Sequence, residues 1–196
     1  MNLYIIRHGE TEENKQMILQ GHLPGTLTEK GKQQIKNTSE RLLTTGIKFD
    51  CIISSDLQRA IDSAQIISSS LSIPIFTMAI LRERNWGPYT GMLISEAAKR
   101  FKINGIWQFP NKHHFMQEVE DDYQKNNKYG KFAETEEEIF ERAKKALIEI
   151  KNIYKYDNII IVTHGQFARN MIAAKFDCNY HEVSPIINGE IRQITI

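Results

Sequence analysis

The first fourteen residues, Met1 to Asn14, read MNLYIIRHGETEEN, and their reading decides the fold. Leu3, Tyr4, Ile5 and Ile6 are an unbroken apolar run, as expected of a strand buried on both faces. The run stops abruptly in Arg7-His8-Gly9-Glu10-Thr11. Ligands of open α/β sheets bind outside the carboxyl ends of the strands. Arg7 and His8 therefore belong at the rim of a crevice, where Gly9 lets the backbone turn and approach a ligand closely. A guanidinium grips anionic oxygens as a fork, and an imidazole beside it can act as a nucleophile. So short a motif also matches ordinary loops. Its meaning depends on what distant segments bring to the same place.

Outward from that stretch, strand-like and helix-like segments alternate. Glu12 to Gly25 is polar and glycine-punctuated and reads as a surface loop lining the crevice. Thr28 is an N-cap candidate for a helix carrying Ile35, Leu42 and Leu43 towards Thr45, with Gly46 ending it. Phe49 to Ser54 is a second buried strand. Ser55-Asp56 reads as the cap of a helix with Leu57, Ala60, Ile61, Ala64, Ile67 and Leu71 on its apolar side. A short strand, Ile75 to Met78, follows Pro74, and Ile80 to Gly91 is a loop. Ser95 to Tyr129 reads as helical, interrupted at Pro110, with Trp107, Phe109, Phe115 and Tyr123 along a polar chain. Thr135 to Tyr154 is strongly helical, acidic first and lysine-rich later, as the helix dipole favours. Asn158 to Thr163 is a strand ending in His164-Gly165, Gln166 to Lys175 a helix, and Ile191 to Ile196 an edge strand. The alternation predicts an α/β three-layer sandwich: a mainly parallel sheet, helices on both faces, and a small helical cap insertion at about 95–133 within one 1–196 domain.

Composition narrows the function classes. The 196 residues are 41% apolar and 25% charged, ordinary for a soluble globular chain, and the formal net charge is +1. No global field draws in nucleic acid or an anionic membrane, so any positive potential must be local. No window is apolar enough to span a bilayer, and the amino terminus shows no signal-peptide pattern, so the expected location is cytoplasmic. Cys51 opens a strand-like run and reads as a buried thiol, not half of a disulfide with Cys178.

Four separated segments place chemistry where strands end or helices begin. They carry Arg7 and His8, then Arg59 in the first turn of a helix, then Glu83 after strand three, then His164 after Val162-Thr163. Two buried strands each ending in His-Gly is a rare coincidence. Taken together, RHGETEEN (Arg7 to Asn14), Gln20-Gly21, LTEKG (Leu27 to Gly31), SDLQRA (Ser55 to Ala60), LRERNWGPYTG (Leu81 to Gly91) and VTHGQFAR (Val162 to Arg169) resemble the histidine phosphatase superfamily. The likeness is to its branch of cofactor-dependent phosphoglycerate mutases and small-molecule phosphatases, and it covers nearly the whole chain except the middle. It implies that His8 is transiently phosphorylated, that Arg7, Arg59 and His164 hold the phosphoryl group, and that Glu83 protonates the leaving oxygen. Charge at a transferring phosphoryl lies on three equatorial oxygens, so surrounding donors stabilise the transition state. Two guanidinium groups balance a dianion without a metal or other cofactor, and they disfavour the imidazolium form of His8, which must be neutral to attack. Asn14, Gln20, Gly21, Gly165 and Gln166 match further substrate- or phosphate-binding positions, with a loop-structuring role for Asn14 and Gln20 equally open.

The pattern departs from the family in places. His22-Leu23-Pro24-Gly25-Thr26 stands where a threonine, an aspartate and a proline are usual, and Leu23 has no side-chain hydrogen bond to offer. Ala133-Glu134-Thr135 replaces Gly-Glu-Ser, with Glu137 and Arg142 continuing the match, and Gln166 replaces a second glycine and narrows the pocket floor. His113, His114 and Glu118 read as solvated, not as metal ligands, and Lys99, Arg100, Lys102 and Lys112 as a solvated helix face. Trp86 and Tyr89 suit a pocket wall and a core equally. The expected activity is a metal-independent phosphatase acting on a small phosphorylated metabolite, as a monomer or homodimer, without nucleic acid or membrane. The alternative is a phosphoglycerate mutase using the same five residues. A catalytically idle phosphate-binding scaffold is the third reading, and nothing in the sequence favours it.

Overall fold

In a computed structural model, described here for residues 1–96, 102–103, 106–107 and 133–196, the chain forms a five-stranded sheet whose strands lie in the spatial order Ile75–Thr77, Cys51–Ser54, Asn158–Thr163, Asn2–Arg7 and Ile191–Thr195. The strands are β1 (Asn2–Arg7), β2 (Cys51–Ser54), β3 (Ile75–Thr77), β6 (Asn158–Thr163) and β7 (Ile191–Thr195). β1, β2, β3 and β6 run parallel, and β7 closes the β1 edge antiparallel, as Ile191 to Ile196 suggested. Helices α2 (Glu29–Thr44) and α3 (Gln58–Leu71) cover one face; α4 (Glu136–Ile153) and α5 (Gly165–Phe176) cover the other.

The β1 sequence explains this layering. Leu3 and Ile5 point into the core under α4 and α5, with Ile53, Ile161 and Phe167. Tyr4 and Ile6 point into the opposite core, with Ile35, Ile52, Ala64 and Val162. Successive side chains of a strand face opposite ways, so a strand between two helical layers must be apolar at every position. Leu3, Ile5 and Ile6 are fully buried, and truncating any of them to alanine should cost about 2–5 kcal/mol.

The helix starts are set by caps. The Thr28 hydroxyl accepts the Gly31 N–H at 2.9 Å, and Thr135 with Glu138 forms a capping box on α4. At α3 the expectation fails: the N-cap is Leu57, without a side-chain bond. Ser55 is instead bonded to His164, and Asp56 pairs with Arg82 through both carboxylate oxygens, at 2.7 and 2.6 Å. The stretch read as one loop after β1 contains a short helix, α1 (Glu12–Lys15), boxed by Thr11 and Asn14, and beyond it Leu19, Gln20 and Gly21 are buried. Within the segment read as a helical cap, Lys102–Ile103 (β4) and Ile106–Trp107 (β5) form a two-stranded antiparallel ladder, so helix is the wrong assignment there. His113, His114, Glu118, Lys99, Arg100, Lys112 and the rest of that segment lie outside the described residues. Cys51 is a buried free thiol, and burial pushes it up to about 11.

Candidate active site

The register of the sheet assembles the site. Arg7 is paired with Thr163, and Ser54 with Val162, so His8, His164 and Ser55 emerge together at the carboxyl edge of β1, β6 and β2. The two imidazole centroids lie 5.1 Å apart. A cavity of about 280 Å³ opens there, lined among others by Arg7, His8, Arg59, Glu83 and Trp86. Asn14, Gln20, Gly21, Gly165 and Gln166 also line it; His164 lies behind His8, fully buried.

His8 has a defined tautomer. Its Nδ1 is 2.7 Å from the Gly9 carbonyl, which only accepts, so Nδ1 carries the proton. Its Nε2 receives the Arg59 Nε–H at 3.2 Å, and guanidinium only donates, so Nε2 carries the lone pair. Burial holds this imidazole well below its usual 6.5, and Arg59 and Arg7 push it further the same way. Burial, not the arginines, is the leading cause.

Arg59 is 1% exposed, and the 21–24 loop holds it in place. It donates to the carbonyls of Gly21 at 2.9 Å and of Leu23. The Leu23 side chain is apolar, but its main chain supplies the bond. Burial pushes Arg59 down to about 10, with Glu83 and Glu13 opposing, so it stays charged at neutral pH. Arg7 is tethered to the Ile186 carbonyl at 2.8 Å, while its Nε and the Nδ1 of His164 are buried without a hydrogen-bond partner among the described residues. An unpartnered buried guanidinium nitrogen beside the His8 imidazole suits an incoming anion, as does the His164 Nδ1 where it carries the proton.

Glu83 is fixed by main-chain donors. Arg84 N–H and Phe167 N–H bond its Oε1 at 2.9 and 3.1 Å, and Gln166 N–H bonds Oε2 at 3.2 Å. The amino terminus of α5 therefore meets this carboxylate, as the helix dipole favours. Behind it, Arg142 pairs with both oxygens of Glu134 at 2.7 Å and donates to the carbonyls of Ile80, Arg82 and Glu83. Asn14 structures the loop, its Oδ1 accepting the Thr11 N–H, and it also stands among the residues lining the cavity. Trp86 likewise belongs to the wall and to a small cluster with Leu19, Tyr89 and Ala133.

Gly9 and Gly31 explain why LTEKG accompanies RHG. A Cβ on Gly9 would drive into the Gly31 carbonyl, and one on Gly31 into the Glu10 carbonyl. Two backbones touch where the α2 amino terminus supports the turn after His8.

Sequence reasoning missed the 184–190 segment, whose Asn188 donates to the His8 carbonyl at 2.9 Å and whose Pro185 and Ile186 line the cavity. It also missed Arg169, although VTHGQFAR contained it, and Ser55 as the partner of His164 at 2.9 Å.

The geometry is that of a buried, arginine-lined anion pocket at the carboxyl edge of an α/β sandwich. The chain belongs to the histidine phosphatase superfamily (branch 1), whose sequence pattern it matches over residues 3–194. It is 37% identical over 114 residues to a broad-specificity phosphatase of Saccharomyces cerevisiae, covering 57% of this chain and 50% of that one. It thus spans about half the length of that relative. It is 31% identical over 170 residues to phosphoglycerate mutase-like protein 4 of Arabidopsis thaliana, covering 86% and 68%. A mycobacterial glucosyl-3-phosphoglycerate phosphatase has the same fold: TM-score 0.77, 20% identity, 99% of this chain and 92% of that one. Among the described residues, no helix is long and apolar enough to cross a membrane.

Proposed function

We propose that the chain is a metal-independent phosphatase that hydrolyses a small phosphorylated metabolite through a phosphohistidine on His8. The observation that carries this reading is the His8 ring: neutral, proton on Nδ1, lone pair on Nε2 at a cavity lined by Arg7, Arg59 and Glu83. Nε2 attacks phosphorus, the ester P–O bond breaks, and the leaving oxygen takes a proton from Glu83. Water then attacks the phosphohistidine, the N–P bond breaks, and the proton of that water returns to Glu83. Arg7, Arg59 and the Nδ1 of His164 stabilise the equatorial oxygens in both steps. The phosphoryl dianion favours protonation of the carboxyl it faces.

A mutase differs in clamping the carboxylate of its substrate and excluding water. Among the described residues, Arg169 is the one cationic side chain lining the cavity besides Arg7 and Arg59. Arg84 is 4% exposed and turned to the Glu134 carbonyl and the Trp86 ring. Brief mixing with a phosphomonoester and acid-free denaturation should trap an acid-labile, base-stable phosphoenzyme at His8. No phosphoenzyme from any of a panel of phosphomonoesters sinks the reading.

A further inference from the structure

The peptide joining Glu83 to Arg84 has both ends fixed. Its N–H donates to the Glu83 carboxylate at 2.9 Å. Its carbonyl receives Arg142 Nη2 at 3.2 Å from one element and His22 Nε2 at 2.9 Å from another. Rotating this peptide breaks the bond that aims the carboxylate, so whatever holds the carbonyl also holds Oε1. Arg142 braces the whole 80–83 turn, since it also serves the carbonyls of Ile80 and Arg82. Among the described residues, His22 hydrogen-bonds Glu83 alone. Because a carbonyl only accepts, His22 Nε2 is a donor. Burial holds the ring below its usual value, so it is neutral with Nδ1 bare.

His22 also sits in the stretch that departs most from the family pattern. The residues flanking it, Gly21 and Leu23, hold Arg59 through their carbonyls. One short segment thus touches the guanidinium beside the nucleophile and the peptide behind the acid.

We propose that His22 is a positioning residue, fixing the Glu83 carboxylate relative to Arg59 by its Nε2–H bond to the Glu83 carbonyl. This rests on the reading of Glu83 as the group that protonates the leaving oxygen. Such a group matters most for a poor leaving group, and little for one that departs unaided. The test therefore compares an alkyl phosphomonoester, glycerol 2-phosphate, with p-nitrophenyl phosphate in wild type, Glu83→Gln, His22→Ala and His22→Gln. Glu83→Gln should lose about 10²-fold or more in kcat on the alkyl ester and far less on the aryl ester. His22→Ala should lose about tenfold in kcat on the alkyl ester and under about threefold on the aryl ester, with KM unchanged on both. His22→Gln, whose amide nitrogen reaches the place of Nε2, should restore most of the alkyl rate. Equal losses on the two esters, no loss on either, or no rescue by glutamine would overturn the positioning role. A Glu83→Gln enzyme that treats both esters alike removes the underlying acid assignment instead.

Discussion

β1 and β6 lie side by side in the sheet and each ends in His-Gly, yet the surroundings of the two imidazoles differ. His8 reaches the cavity with Nδ1 bound to its own neighbour's carbonyl and Nε2 facing Arg59. His164 is the N-cap of α5, bonded through Nε2 to Ser55, with Nδ1 buried and unpartnered among the described residues. The same dipeptide thus presents a lone pair beside the cavity in one strand and leaves a buried ring nitrogen without a partner in the other; in the proposed mechanism the first attacks and the second holds the phosphoryl group. The largest effect that tests this contrast is loss of His8. His8→Ala should abolish the phosphoenzyme and lower kcat by on the order of 10⁴-fold or more, as removal of a covalent nucleophile does. His164→Ala should lower kcat by about 10²–10³-fold, the scale of one lost transition-state donor, with phosphoenzyme still detectable. If His164→Ala abolishes the trapped species as completely as His8→Ala, the contrast between the two imidazoles is wrong.

The two glycines of these dipeptides differ as sharply. Gly9 presses its backbone onto that of Gly31, where a Cβ has no room. A Cβ on Gly165 would lie 3.4 Å from the Arg7 guanidinium carbon, an ordinary contact with the end of a flexible side chain. Gly165 also opens α5, where alanine is the better helix former. Gly9→Ala should cost about 3 kcal/mol or more, because backbone must move against backbone. Gly165→Ala should change stability by less than about 1 kcal/mol. Urea midpoints of the two variants decide it, and comparable losses would show that Gly9 is not pinned by α2.

Much of this was legible before any coordinates. β1, β2 and β6 are buried on both faces, so their apolar runs are unbroken and bounded by polar residues. Arg7, His8, Arg59, Glu83 and His164 converge because parallel strands of one sheet end at one edge. The errors have physical causes. Ser55-Asp56 obeys the local rule for a helix cap, but the helix is capped one residue later by Leu57: the Ser55 hydroxyl accepts the Leu57 N–H at 3.3 Å and bonds His164, and Asp56 pairs with Arg82. Asn188 acts on the backbone of His8 from a segment without periodicity, and nothing in local sequence marks such a contact. Trp107 lies among scattered aromatics read as helical, yet it pairs with Lys102 in a ladder too short to show alternation.

The smallest effect is the pH dependence of stability. Burial first, and the nearby charges of Arg59 and Arg7 next, hold both His8 and His164 well below 6.5 in the folded protein. In the unfolded chain each takes a proton near the usual value of about 6.5. Below that pH the unfolded state binds more protons than the folded one, so stability falls as pH drops. Well above it these groups contribute no slope. Each imidazole adds at most about 1.4 kcal/mol per pH unit, and His22 acts in the same direction. Urea midpoints at pH 7.5, 6.5 and 5.5 should fall slightly over the first interval, because the unfolded imidazoles are half protonated at about 6.5, and more steeply over the second. His164→Asn should flatten that fall by about one proton's slope, at most about 1.4 kcal/mol per pH unit. A wild-type midpoint that does not move between pH 6.5 and 5.5 would mean that the site does not keep its imidazoles neutral, and His8 would then lose the lone pair on which its attack depends.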